Sequence, residues 1–228
     1  MMPTPKTRRY RKILCGVDFS AQSACALRYA AAIGSGPGDT ITAVHAGNVP
    51  RADLDRFVAR TLGAVTAARV KTAVANGRPD LVVIAHAGRR KTDVIVMGTG
   101  SNTLKVLRGV EGPVLVVPPR CRRPRPGWPA GPIGAAIGHD DRRRRAQLVA
   151  AVRAAHHFGG WLSIVPAAPQ RGAAGRPGLI IYPHARADRR QPWRQGSPAR
   201  AFVLASRVPV LVVRTGHRHA ATVASRAA

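Results

Sequence analysis

The string PVLVV stands at 113–117 and again at 209–213. Each copy closes the same kind of unit. A Gly-Ser pair lies thirteen residues before the Pro and opens an apolar-periodic stretch that runs into the repeat: GSNTLKVLRGVEGPVLVV from Gly100, GSPARAFVLASRVPVLVV from Gly196. Five shared apolar letters alone could arise by chance, but the same letters with the same upstream spacing point to an internal repeat, which constrains the fold before anything else does. The shared piece is Gly-Ser, helix, short turn, strand. Ser101 and Ser197 are candidate N-caps, because a Ser oxygen can accept from the free N–H groups of a first helical turn. Pro113 and Pro209 stand where a strand begins, a position that tolerates a missing N–H.

The pattern upstream of the first copy alternates. KILCGVD (12–18) is expected as a strand, 19–34 as a helix with Ser20 as its cap, TITAVHA (40–46) as a strand and 52–68 as a helix. A strand is expected at 70–77, a helix at 78–89 with Pro79 near its start, and a strand at 92–98. Such alternation predicts an α/β fold with a parallel sheet between two helical layers. VIVM and VLVV are continuously apolar, as strands buried on both faces should be. After a Pro/Arg-rich linker at 119–131 the pattern restarts: strand 133–138, helix 140–158, strand 161–165, strand 179–183, then Gly196-Ser197, a helix and PVLVV. The segment 166–178 has neither period. The division expected is a basic disordered arm (1–11), a first domain (12–118), the linker, a shorter second domain (132–215) and a flexible tail (216–228).

Charge bears on partners. Lys and Arg total 37 against 10 Asp and Glu, a formal +27, and 32 of the 37 are Arg. An Arg/Ala/Gly/Pro coding bias is one origin of such a profile. Whatever its origin, the charge attracts nucleic acid and anionic lipid, and salt weakens that attraction. The basic residues are spread along the chain rather than gathered in a stripe. Cys15, Cys25 and Cys121 have neither metal-ligand spacing nor a paired framework, which suits a reduced compartment. The eight His do not cluster with Cys or carboxylates, so no metal is expected. No apolar run approaches the ~18 residues of a membrane span, and ILCGV is too short for a signal peptide's apolar region. A cytoplasmic protein is expected.

A first strand ending VDFS, a second ending in His, a Gly-Arg-Pro turn into a helix, a strand ending VMGT and a Gly-Ser helix into PVLVV together resemble the universal stress protein family. The resemblance covers 12–118 well and 132–215 more weakly. It implies doubly wound sheets of strand order 3-2-1-4-5, pairing of units through their last strands, and, for many members, ATP binding. In this chain the pairing would be intramolecular, 113–117 against 209–213, as in a tandem member with a truncated second unit.

The family's nucleotide site uses an Asp after the first strand and a loop of form G-x2-G-x9-G-[ST] after the fourth. Glycines there let the backbone approach phosphates, and a helix N-terminus receives them. Asp18 matches the Asp, Gly98 the first Gly, and Gly100-Ser101 the last pair. Gly98 and Gly100 stand two apart where the motif needs thirteen, so eleven residues and the middle Gly are absent. The second unit fails in the opposite way. Pro183 to Gly196 spans the full thirteen, but Pro183 and Arg186 take the two leading Gly positions and Gly138 takes the Asp position. Only Gly196-Ser197 survives as a remnant. About 35 fewer residues separate its first and fourth strands, which removes the third strand and its flanking helices.

Each site residue also has a local alternative. Asp18 stands beside Ser20 and could serve only to cap the next helix. The Arg-rich stretch with Arg186, Arg189, Arg190, Trp193 and Arg194 could bind an anion or stack a base, or be a solvated loop, and Arg142–Arg145 is a charge run on a helix turn. No nucleophile–base pair or assigned carboxylate pair is present, so no enzymatic role is expected. Two functions follow. One is a stress-response module with a partly degraded ATP site at Asp18, Gly98, Gly100 and Ser101. The other is a non-nucleotide member acting through a protein partner or non-specific nucleic-acid contacts.

Overall fold

The structure is a computed structural model; it describes residues 10–129, 131–138, 141–166, 177–185 and 197–215. One sheet of nine strands runs through it. The first unit contributes β1 (Lys12–Val17), β2 (Thr40–Ala46), β3 (Val70–Ala75), β4 (Val94–Gly98) and β5 (Val114–Val117). The second contributes β6 (Ile133–Ile137), β7 (Leu162–Pro166), β8 (Leu179–Ala185) and β9 (Val210–Thr215). The order is β3-β2-β1-β4-β5-β9-β8-β6-β7. Every neighbouring pair is parallel except β5 and β9, which run antiparallel with Leu115 opposite Leu211. The first half has the order 3-2-1-4-5. Among the described residues, the second half has counterparts of strands 2, 1, 4 and 5 and none of strand 3.

Helices cover both faces. On one lie α1 (Ala21–Ile33), α2 (Arg51–Leu62) and α6 (Asp141–His156); on the other lie α4 (Pro79–Arg90), α5 (Ser101–Gly109) and α7 (Pro198–Ala205). Strand alternation divides the repeat between them: Leu115 and Val117 join the first layer, Val114 and Val116 the second, all fully buried. The two prolines play matching parts. The Pro113 carbonyl accepts from the Ile95 N–H and the Pro209 carbonyl from Ile180, each at 3.0 Å.

Four expectations are corrected. The helix expected at 52–68 is broken by Gly63, whose φ of 78° no side-chain-bearing residue adopts cheaply, into α2 and a single turn, α3 (Ala64–Ala67). Ser101 is not an N-cap. Gly100 occupies that place without a side-chain bond, whereas Ser197 does cap α7, accepting from Arg200 N–H at 3.3 Å. The strand expected to stop at 183 continues to Ala185, with Pro183 opposite Val213. Pro183 fits because Ile180 N–H points to β9, so by alternation residue 183 faces β6, where the ladder ends at Ile181. Finally, the arm assigned to 1–11 is ordered at its end: Tyr10 is only 2% exposed.

Tyr10 belongs to an aromatic column between the units. Its ring stacks on His157 at 4.2 Å and meets Phe158 edge-on at 5.5 Å; Phe158 meets Trp128 at 5.8 Å, and Trp128 meets Tyr29 at 4.8 Å. Trp128, in the Pro/Arg-rich stretch, donates its indole N–H to the Gly178 carbonyl at 2.9 Å, and Tyr29 donates its hydroxyl to the Arg122 carbonyl at 2.8 Å. On the other face Arg214 at the end of β9 donates to the Leu107 and Arg108 carbonyls at the C-terminus of α5, where a cation is favoured. The Tyr10 hydroxyl is buried without a hydrogen-bond partner among the described residues. Tyr10→Ala should therefore cost about 3–5 kcal/mol. Tyr10→Phe, which removes only the unsatisfied hydroxyl, should cost less than about 1 kcal/mol or stabilise. Urea denaturation of the three proteins checks both.

Candidate functional site

β1 and β4 are neighbours, and their carboxyl ends open onto the point where strand order reverses, the usual ligand position of a doubly wound sheet. Asp18 follows β1 directly. Its Oδ1 accepts from the Ser20 hydroxyl at 2.5 Å and the Ser20 N–H at 3.1 Å. Ser20 in turn caps α1 by accepting from Ser23 N–H at 3.1 Å. Between them Phe19 takes the left-handed conformation, φ 63°, a strained choice for a bulky residue. Packing compensates: its ring lies 4.7 Å from His45 and 5.3 Å from Phe57. His45 Nδ1 is 2.8 Å from the Val17 carbonyl; since that oxygen can only accept, Nδ1 carries the proton. Asp18 and the second strand's His are thus bound into the turn that starts α1.

Burial raises the Asp18 pKa, and the Ser20 and Ser23 hydroxyls with the Ser20 backbone lower it by more, so the carboxyl titrates below its ordinary value. A lowered pKa means that the ionised form supports the fold. That support is present above the unfolded value near ~3.9 and is lost as pH falls through the folded value.

β4 reaches α5 through Thr99 and Gly100 alone. Gly98 is tightly enclosed: a Cβ there would stand 3.1 Å from Gln22 Cβ and 3.2–3.3 Å from the Gln22 backbone. Thr103 donates to the Gly98 carbonyl at 2.6 Å, and Thr99 donates to Gln22 Oε1 at 3.2 Å. Gly100 has φ −167°, ordinary extended backbone, and open space where its Cβ would be. Asp18, Gly98, Gly100 and Ser101 therefore line one cleft, together with Ser20 and Gln22, of about 140 Å³. Ligand pockets for drug-sized molecules run to ~300–1,000 Å³. Gln22 had no signal in the sequence; it matters because α1 brings it across to the end of β4. A larger apolar cleft of about 270 Å³, between Ile84, Gly109 and Pro113, lies at the opposite ends of β4 and β5, away from the switch point.

In the second unit the Gly138 N–H is bound by the Gln147 side chain at 3.1 Å, and Pro183 is taken up by β8. Ser197 is engaged as a helix cap. Gly196, Arg186, Arg189, Arg190, Trp193 and Arg194 lie outside the described residues.

Burial pushes the Cys121 thiol up to about 12 and raises Cys25 as well, despite Arg28 and Arg123, which leaves little thiolate near neutrality. Among the described residues no three His, Cys, Asp or Glu are grouped as metal ligands, and no helix is long and apolar enough to cross a membrane.

Residues 9–63 match the Universal stress protein family. That match covers about a quarter of the chain, within β1, α1, β2 and α2. Solved structures agree on the fold across nearly all of its length. A universal stress protein from Archaeoglobus fulgidus DSM 4304 is 16% identical over 92% of this chain and 99% of its own, with a TM-score of 0.56. A putative universal stress protein from Pseudomonas aeruginosa UCBPP-PA14 is 14% identical over 92% and 95%, also at 0.56. A universal stress protein in complex with cAMP is 22% identical over 48% of this chain and 97% of its own, but at a TM-score of 0.41 that similarity says nothing of ligands. No curated protein matches the chain.

Gly98 and Gly100 should separate in mutagenesis. Gly98→Ala must push backbone and should cost about 1–3 kcal/mol, whereas Gly100→Ala should stay within about 0.5 kcal/mol of wild type. Asp18→Ala should cost about 1 kcal/mol with no nucleotide present, through loss of the helix cap's support. Its difference from wild type should shrink as pH falls below about 4. Denaturant titrations at neutral and acid pH measure all three.

Proposed function

We propose that this protein is a non-catalytic stress-response binding module, cytoplasmic, whose first-unit cleft is a reduced nucleotide site. One observation carries this: β4 passes into α5 through two residues, so the cleft holding Asp18, Gly98, Gly100 and Ser101 is about 140 Å³ and has no loop above the helix start. A nucleoside or a single phosphate at the α5 N-terminus is within its reach. The second and third phosphates of ATP would meet solvent where the family's loop would wrap them. Asp18 is already engaged through Oδ1 by Ser20, so a ligand would share this carboxylate with the cap of α1.

On this reading AMP and ATP should bind with affinities within about threefold of each other, since the extra phosphates gain no backbone donors. Binding should weaken in Asp18→Ala. Equilibrium dialysis at low and high salt, with tripolyphosphate as competitor, distinguishes the cases. ATP preferred over AMP by a hundredfold would mean that a phosphate loop exists after all.

A second reading is favoured by the formal +27: the protein acts through polyanion or protein contacts and the cleft is vestigial. Binding to nucleic acid would then be sequence-blind, indifferent to Asp18 and steeply salt-dependent, with log K falling linearly in log salt.

A further inference from the structure

The second unit leaves one place uncovered. In the first unit α2 lies against α1, burying Leu54, Phe57 and Val58, and β3 covers the outer edge of β2. Among the described residues neither element has a counterpart in the second unit, and β7 pairs only with β6. Among the described residues, five of the eight exposed large hydrophobics lie around this vacancy: Leu148, Val149 and Val152 on α6, Trp161 at 66% exposure, and Ile164 on β7 at 58%. Leu162 packs into the layer that holds α6, so Ile164, two residues on, faces the same side of the sheet.

Among the described residues the backbone of this edge is also unpaired up to Pro166, which closes its end without an N–H. The Trp161 carbonyl accepts from Ile133 N–H, so residues 161, 163 and 165 face β6. By alternation the N–H and C=O groups of Leu162 and Ile164 point outward, a ready template for another strand. Proteins usually protect such edges with charge. The opposite edge, β3, carries an exposed Lys71, whereas the β7 sequence LSIVP has no charged residue.

We infer that β7 is a self-association edge: two copies pair antiparallel through Leu162–Ile164, continuing the nine-stranded sheet across a two-fold axis. The chain already closes one apolar edge this way, with β5 antiparallel to β9. Antiparallel pairing of a strand with its own copy is isologous and closes without further growth. It also suits the charge. Arg143, Arg144 and Arg145 open α6 at the carboxyl end of β7, so an antiparallel partner presents its own at the far end. The remaining repulsion between two +27 chains is screened by salt, so this contact tightens as salt rises, opposite to polyanion binding.

Sedimentation velocity over a wide concentration range, on nuclease-treated full-length protein, tests the inference. Hydrogen exchange at Leu162 and Ile164 is followed in parallel. A monomer–dimer equilibrium is expected, stronger in salt, with both amides gaining protection as concentration rises. Ile164→Lys sets like charges across the pair and should raise the dimer Kd at least about tenfold, while Val65→Lys, at an exposed site on α3, should leave it unchanged. Four results would overturn the inference: a monomer throughout, open-ended growth, a dimer indifferent to Ile164→Lys, or amides equally protected at every dilution. The last would mean that the chain covers its own edge.

Discussion

Everything in this fold hangs on the antiparallel seam between β5 and β9. Each is the outermost strand of its own unit, each is apolar on both faces, and each alone would be an open edge of the kind that recruits other chains. Set against each other they become the two central strands of one sheet, with Leu115 and Leu211 both fully buried. The seam explains why the strand is written twice. It also explains how the described part of the second unit can persist: its four strands and two helices bury little surface alone, but they share a core with the first unit. The aromatic column on one face and Arg214 on the other hold the same junction from above and below.

The first-unit cleft keeps Asp18 and Gly98 beside a connection of only two residues between β4 and α5. The family resemblance would assign Asp18 and Gly98 to a nucleotide site, yet each has a local occupation sufficient to retain it. Asp18 fixes the cap of α1 through Ser20, and Gly98 lets α1 approach the end of β4. Packing therefore accounts for both residues, and their presence alone says less about ATP than the motif suggests. The length of the connection between β4 and α5 is the more telling feature, because no side chain can substitute for missing backbone donors.

Much of the fold was legible because its signals were local and periodic. Continuous apolar runs such as VIVM and VLVV marked strands buried on both sides, and the turn residues between them set the alternation. The shortened second unit could be counted directly from residue spacing. What could not be read depended on distant partners. Tyr10 looked like part of a basic arm because its stacking partners lie almost 150 residues away. Trp128 was hidden in a linker composition, and Gln22 acquired a role only through helix placement. Gly63 and Ser101 show a different limit: one residue's backbone conformation decides where a helix ends or starts, and apolar periodicity averages over it. In the site, the matched positions Asp18, Gly98, Gly100 and Ser101 do line one cleft, but its size was set by a missing segment, visible in the sequence as a spacing and not as a volume.

The placement of β9 has a consequence for synthesis. Among the described residues it is the last strand, and its partner β5 is complete about a hundred residues earlier. At ~5–20 residues per second, a ribosome takes roughly 5–20 s to produce the missing half of the seam. During that interval the first unit can be folded while its VLVV edge stays bare, on a polysome where neighbouring nascent chains carry the same edge. The stretch that joins the finished units into one sheet is, while the chain is being made, the stretch most exposed to the wrong neighbour, and the demand on chaperones should peak between the two copies of PVLVV.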